Sequence, residues 1–131
     1  MGLSGSGKTF LSKLLQKELN CAWFNADNLR EMADDWDFSI SGRNRQMRRM
    51  KSLADFESNE GRVVICDFIC PTEDLRSSFG ADFTIWMDTV KESKFKDTDL
   101  IFEAPKEVDI KITDWSEYNH KNIAEIIKNN V

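Results

Sequence analysis

The chain has 131 residues, 40% of them hydrophobic and including nine Phe and four Trp, enough for one globular domain and too apolar for disorder. Its net charge of −5 argues against a nucleic-acid polymer as partner, and no apolar run is long enough to span a bilayer. Lys8 and the Ser/Gly residues leave no signal-peptide pattern, and Cys21, Cys66 and Cys70 lack zinc-ligand spacing, so free thiols in a reducing cytoplasm are expected.

The first element is a loop. Gly2-Leu3-Ser4-Gly5-Ser6-Gly7-Lys8-Thr9 fits G-x-x-x-x-G-K-[ST] at every fixed position. Such a loop turns backbone N–H groups toward phosphates, with Lys8 reaching the β- and γ-phosphates of ATP and the Thr9 hydroxyl holding Mg²⁺. Leu11, Leu14, Leu15 and Leu19 then form one helical stripe, predicting a helix over 8–19 whose positive end adds to the anion site. The motif calls for a buried strand ahead of it, and only Met1 precedes Gly2. Met1 is therefore expected to be the last residue of an apolar strand in a longer product.

Residues 21–25 read as a strand. Asp27 or Asn28 offers an N-cap for a short helix through Ala33. Residues 34–39 form an acidic, aromatic loop, and Ser41 is a candidate cap for a helix over about 42–60. Arg62 to Ile69 is a continuous apolar run, as in a parallel strand covered on both faces. A short helix follows with Pro71 near its first turn, then a strand over 83–88. Residues 89–107 read as polar and irregular, 108–112 as a late strand, and 120–130 as a closing amphipathic helix. Strands alternating with helices predict one α/β domain over 1–131: a three-layer P-loop NTPase fold, its parallel sheet flanked by helices and its first strand missing or truncated.

Chemistry is expected at the C-terminal ends of the strands. Asp27 there can take a proton from an attacking hydroxyl or serve Mg²⁺; its bland alternative is the cap. Asp67 closes an apolar strand, the shape of a Walker-B carboxylate. Arg30 and Arg43 flank the loop carrying Phe38 and suit an anionic substrate, whereas Arg45, Arg48 and Arg49 can form a solvated helix face. No Asn-Lys-x-Asp guanine signature is present, which argues against a GTPase.

Together these residues resemble the adenylylsulfate kinase family. Beyond the loop, Asn25-Ala26-Asp27-Asn28-Leu29-Arg30 is similar to the family's Asp-Gly-Asp-Asn-Val-Arg. Asp37-Phe38-Ser39 with Arg43, Gln46, Arg48 and Arg49 resembles Gly-Phe-Ser…Asp-Arg…Asn-Ile-Arg-Arg. Phe68-Ile69-Cys70-Pro71 resembles Phe-Ile-Ser-Pro, and Glu103-Ala104-Pro105 the family's Glu-Ala-Pro. The run Asp67 to Thr72 is similar to that of short phage-encoded homologues.

The resemblance implies a cytoplasmic phosphotransferase passing the ATP γ-phosphate to the 3′-hydroxyl of adenosine 5′-phosphosulfate (adenylylsulfate). It implies that Asp27 is the catalytic carboxylate and that Arg30 and Arg43 grip the phosphosulfate. It implies that Phe38 and Phe95 sandwich the adenine, and that Gln46, Phe68, Ile69 and Cys70 line the pocket. Two departures stand out. Asn25 replaces the family's first Asp while Asp67 adds a carboxylate from the next strand. The family's long basic lid is reduced to Val90–Lys94, with Lys91, Lys94 or Lys96 as weak substitutes, so turnover is expected to suffer. Another small-molecule kinase, or a nucleotide-binding protein of weak activity, remains an open alternative, as do both a monomer and a homodimer.

Overall fold

The computed structural model describes residues 1–130. Helix α1 (Lys8–Leu19) starts where Gly7, at φ 101°, turns the chain through the left-handed region. Strand β1 (Ala22–Asn25) runs directly into α2 (Ala26–Ala33). Asn25 is still extended, at φ −95° and ψ 133°, and its side chain accepts the Asn28 amide at 3.0 Å. The cap therefore falls at the strand's last residue, correcting the expectation of Asp27 or Asn28, and Asp27 is left in the first turn.

Helix α3 (Ile40–Asn59) is capped by Ser39 rather than Ser41, its hydroxyl accepting the Gly42 amide at 3.1 Å. Strand β2 (Val64–Asp67) follows, then α4 (Glu73–Phe79), capped by Thr72 with Pro71 just outside the helix. After β3 (Ile85–Met87) the stretch expected to be irregular contains a helix, α5 (Lys96–Ile101). Asp99 accepts both the amide and the hydroxyl of Ser93 at 2.7 Å, which pins the start of that turn. Strand β4 (Ile110–Ile112) and α6 (His120–Asn130) complete the described chain.

All strand pairs are parallel, but the sheet is in two halves. β1 pairs with β2, setting Asn25 opposite Asp67; β3 pairs with β4, setting Met87 opposite Ile112. Between them lies a groove of about 970 Å³, with Met1 at one end. One cluster, Leu11 and Leu15 of α1 with Ile123, Ala124 and Ile127 of α6, packs on Met87 and Ile112. A second joins Met47 of α3, Leu75 of α4 and Cys70, with Phe68, Phe79 and Met1 against it. Helices thus cover both sides of the strands. Among the described residues no helix is long and apolar enough to cross a membrane.

The Met1 amine donates to the Ile85 carbonyl at 2.7 Å, and its burial pushes its pKa from 8.0 down to about 5. Between those values the unfolded chain binds a proton there that the folded chain has released. Stability should therefore rise with pH from about 5 to 8. Urea unfolding across that window checks this, and an N-acetylated chain, whose terminal nitrogen does not titrate, should lose this part of the slope.

Candidate active site

The loop of residues 2–9 is closed by its own backbone, the Ser6 amide donating to Leu3 O at 3.2 Å. Lys8 bends back, its Nζ donating to Leu3 O at 2.9 Å. An ammonium has three donors, so a phosphate oxygen can still be served. Burial lowers the Lys8 pKa, and the carboxylates of Asp67 and Asp27 pull it back up. The Thr89 hydroxyl, just past β3, donates to Ser6 O at 2.7 Å and ties the loop to the other half of the sheet.

Beside Thr9, the parallel register brings Asn25 and Asp67 together. Asp67 Oδ2 accepts from Thr9 Oγ1 at 3.1 Å and from Asn25 Nδ2 at 3.0 Å. Asp67 is only 4% exposed. A carboxylate at position 25 would face this buried charge; the amide instead donates to Asp67 while its oxygen caps α2. Asn25 and Asp67 are therefore a matched pair. Two hard oxygens, from Thr9 and Asp67, converge here. That suits Mg²⁺, which takes one or two protein ligands and fills the rest with water and phosphate. Among the described residues no cluster of three His, Cys, Asp or Glu could hold a metal by itself.

Asp27 stands exposed in the first turn of α2, its carboxylate not used for capping. Arg30, on the same helix, is 4% exposed and donates to the carbonyls of Asp35 at 2.8 Å and Asp37 at 3.2 Å. Its guanidinium carbon sits 4.3 Å from the centre of the Phe38 ring, and that of Arg43 5.5 Å away. Arg43 also donates to Phe38 O at 2.8 Å and to Thr98 Oγ1 at 3.1 Å, which docks α5 here. Burial lowers both arginine pKa values without removing their charge. Phe38 remains half exposed, an aromatic face in a cationic setting.

The remaining arginines are only partly a solvated face. Arg45 holds Asp35 with two bonds, at 2.7 and 2.9 Å, and Arg49 holds it at 2.8 Å. These partners keep the Asp35 carboxyl well below its usual range. Arg48 is exposed. Gln46 is buried, donating to Ala26 O at 2.9 Å and accepting from Arg49. Gly42 lets the loop lie on α3: a Cβ there would be 2.2 Å from Asp37 O. Gly42→Ala should therefore destabilise the fold by about 1–3 kcal/mol, although helix propensity alone favours Ala by about 1 kcal/mol. Thermal unfolding decides between these opposite signs.

The side chains of Phe68 and Cys70 turn into the second packing cluster, Phe68 edge-on to Phe79 at 5.2 Å. Burial pushes the Cys70 thiol up to about 11 and Cys66 up to about 12, so both stay protonated at neutral pH. Ile69 offers its carbonyl to the Gly2 amide at 3.4 Å. Phe95 is half exposed at the start of α5, and among the described residues no ring contact joins it to Phe38. Lys91 lies 3.8 Å from Asp88, Lys96 lies 3.1 Å from Glu92, and Lys94 sits over Phe95.

Sequence reasoning missed Trp115. It follows β4 and covers the phosphate loop so closely that a Cβ on Gly7 would lie 2.6 Å from its ring. It is 49% exposed and tilts against Phe10 at 6.5 Å. The available signal was a Trp in the polar turn Asp114-Trp115-Ser116, at the strand end facing the crevice.

The sequence profile of the adenylylsulphate kinase family matches residues 1–89. An adenylyl-sulfate kinase of Shewanella sp. (strain MR-7) is 36% identical over 88 residues, covering 63% of this chain and 43% of that protein. One from Shewanella baltica (strain OS195) is 34% identical over 90 residues, covering 64% and 44%. The chain thus spans less than half the length of the curated relatives it matches. Its fold is similar to that of the Mycobacterium tuberculosis APS kinase in complex with AMPPNP and APS. That likeness has TM-score 0.73 and 22% identity, over 98% of this chain and 92% of that one. Shikimate kinase from Aquifex aeolicus shares the fold at TM-score 0.61 and 17% identity, over 98% and 91%.

Proposed function

The chain belongs to the adenylylsulphate kinase family, and we propose that it transfers the γ-phosphate of ATP to the 3′-hydroxyl of adenosine 5′-phosphosulfate. The observation that carries this reading is the half-exposed Phe38, with the guanidiniums of Arg30 and Arg43 4.3 and 5.5 Å from the centre of its ring. An aromatic face with two guanidiniums beside it fits an acceptor with both a base and an anionic group.

In this reading the loop of residues 2–9 cradles the phosphates of ATP, and Lys8 donates to the transferring group. The oxygens of Thr9 and Asp67 hold Mg²⁺, which would neutralise charge on the phosphates. Asp27 accepts the proton of the attacking hydroxyl. Phe38 and Phe95 stack on the acceptor's adenine, with Gln46 and the backbone at Ile69 and Cys70 walling the pocket. Arg30 and Arg43 pair with the phosphosulfate.

Release of ADP, followed with ATP and Mg²⁺ against a panel of acceptors, tests the reading. Dependence on adenylylsulfate supports it. Dependence on a different acceptor refutes the substrate, and tight ATP binding without turnover refutes catalysis. Trp115 adds a check on the ATP end. Base stacking on an aromatic is worth about 1–3 kcal/mol, so Trp115→Leu should weaken ATP binding roughly tenfold by calorimetry.

A further inference from the structure

Two arginines hold α5 in place. Its own apolar residues do little of this, since Leu100 is 84% and Ile101 42% exposed. One attachment is the bond from Arg43 to the buried Thr98 hydroxyl, at 3.1 Å. The other lies just past the last residue of α5, where the chain meets Arg76 from the middle of α4.

Arg76 spreads its guanidinium over three backbone carbonyls. Nε donates to Cys70 O at 3.0 Å, and Nη2 donates to Pro71 O at 3.1 Å and to the Glu103 carbonyl. Nη1 donates to the Glu73 carboxylate at 2.6 Å, and the cation sits 5.3 Å from the centre of the Phe102 ring. The side chain is 13% exposed. The Glu103 amide adds a bond of its own to Pro71 O at 2.7 Å. The turn after β2 and the segment after α5 are thus joined at one planar fork of donors, a geometry that an ammonium does not offer. Cys70 stands at φ 49°, where a residue with a Cβ is strained, so the surroundings impose this turn. None of these partners belongs to the phosphate loop.

We infer that Arg76 is a positioning residue for the acceptor pocket. By clasping the Cys70–Pro71 turn to the end of α5, it fixes the spacing between the pocket's backbone wall and Phe95. It acts through the backbone it holds, without contact to the acceptor. What the pocket binds rests on the reading proposed above; the clasp itself does not.

Two variants test this. Arg76→Met removes the fork and keeps an unbranched stem, whereas Arg76→Lys keeps the charge without the fork. Misplacing a binding group by about 1 Å can cost about a hundredfold. Both variants should therefore raise the KM for adenylylsulfate about ten- to a hundredfold, with kcat at saturation and calorimetric ATP affinity within about twofold of the unsubstituted protein. A residue that only stabilised the fold would leave fewer active molecules, lowering kcat at unchanged KM. Amide exchange reads the clasp without any acceptor: the Glu103 amide should exchange about tenfold faster in both variants, with the amides of β1 unchanged. A raised KM together with faster Glu103 exchange supports the inference. An unchanged KM, or unchanged exchange at Glu103, overturns it. If the unsubstituted protein does not use adenylylsulfate, the substrate reading fails, and exchange at Glu103 alone decides for or against the clasp. If Arg76→Met does not fold, Arg76→Lys carries the same comparison.

Discussion

Asp27→Asn should lower kcat with adenylylsulfate by about two to four orders of magnitude, the usual contribution of a positioned general base. ATP affinity and melting temperature should barely change. The geometry separates these effects. α2 is capped by Asn25, so the Asp27 carboxylate carries no part of the helix start, and it is exposed rather than packed. A loss in kcat without a rise in KM marks an interaction made in the transition state. Steady-state kinetics alongside thermal unfolding measures both. A variant of unchanged kcat would remove Asp27 from the chemistry.

Asp67→Asn should cost roughly a hundredfold in Mg²⁺-dependent turnover and raise the Mg²⁺ needed for half-activation. The buried charge beside Thr9 comes from position 67 because position 25 is an amide. The double variant Asn25→Asp/Asp67→Asn moves that charge to the adjacent strand, and Asp caps a helix as well as Asn does. It should recover much of the lost turnover, whereas Asn25→Asp alone should be harmful because two carboxylates would meet in a buried site. The coupling between the two substitutions is the quantity to measure. Additive losses would contradict the matched pair, and an unaffected Asp67→Asn would remove Asp67 from the metal site.

The loop of residues 2–9, the helix behind it and the carboxylates at the strand ends were legible because each is a local pattern. A glycine spacing, an i/i+3/i+4 stripe and an apolar run are all contained in one segment. What escaped reading depends on partners distant in sequence. α5 has only six residues, too few to show an apolar period of its own, and it is pinned by Ser93 and by the Arg43–Thr98 bond. Caps were misplaced because Asn25, Asp27 and Asn28 are all capping residues, and the choice was made by where pairing with β2 ends. Arg45 and Arg49 looked like a solvated face because Asp35, which they hold, lies across a loop.

Transfer of label from γ-labelled ATP tests the proposed phosphorylation of adenylylsulfate most directly. With Mg²⁺ and adenylylsulfate, the label should appear on the 3′-oxygen of the acceptor, at a rate abolished by Lys8→Ala and reduced by Asp27→Asn. Label found only as free phosphate, or on the acceptor at a rate indifferent to both substitutions, would contradict it.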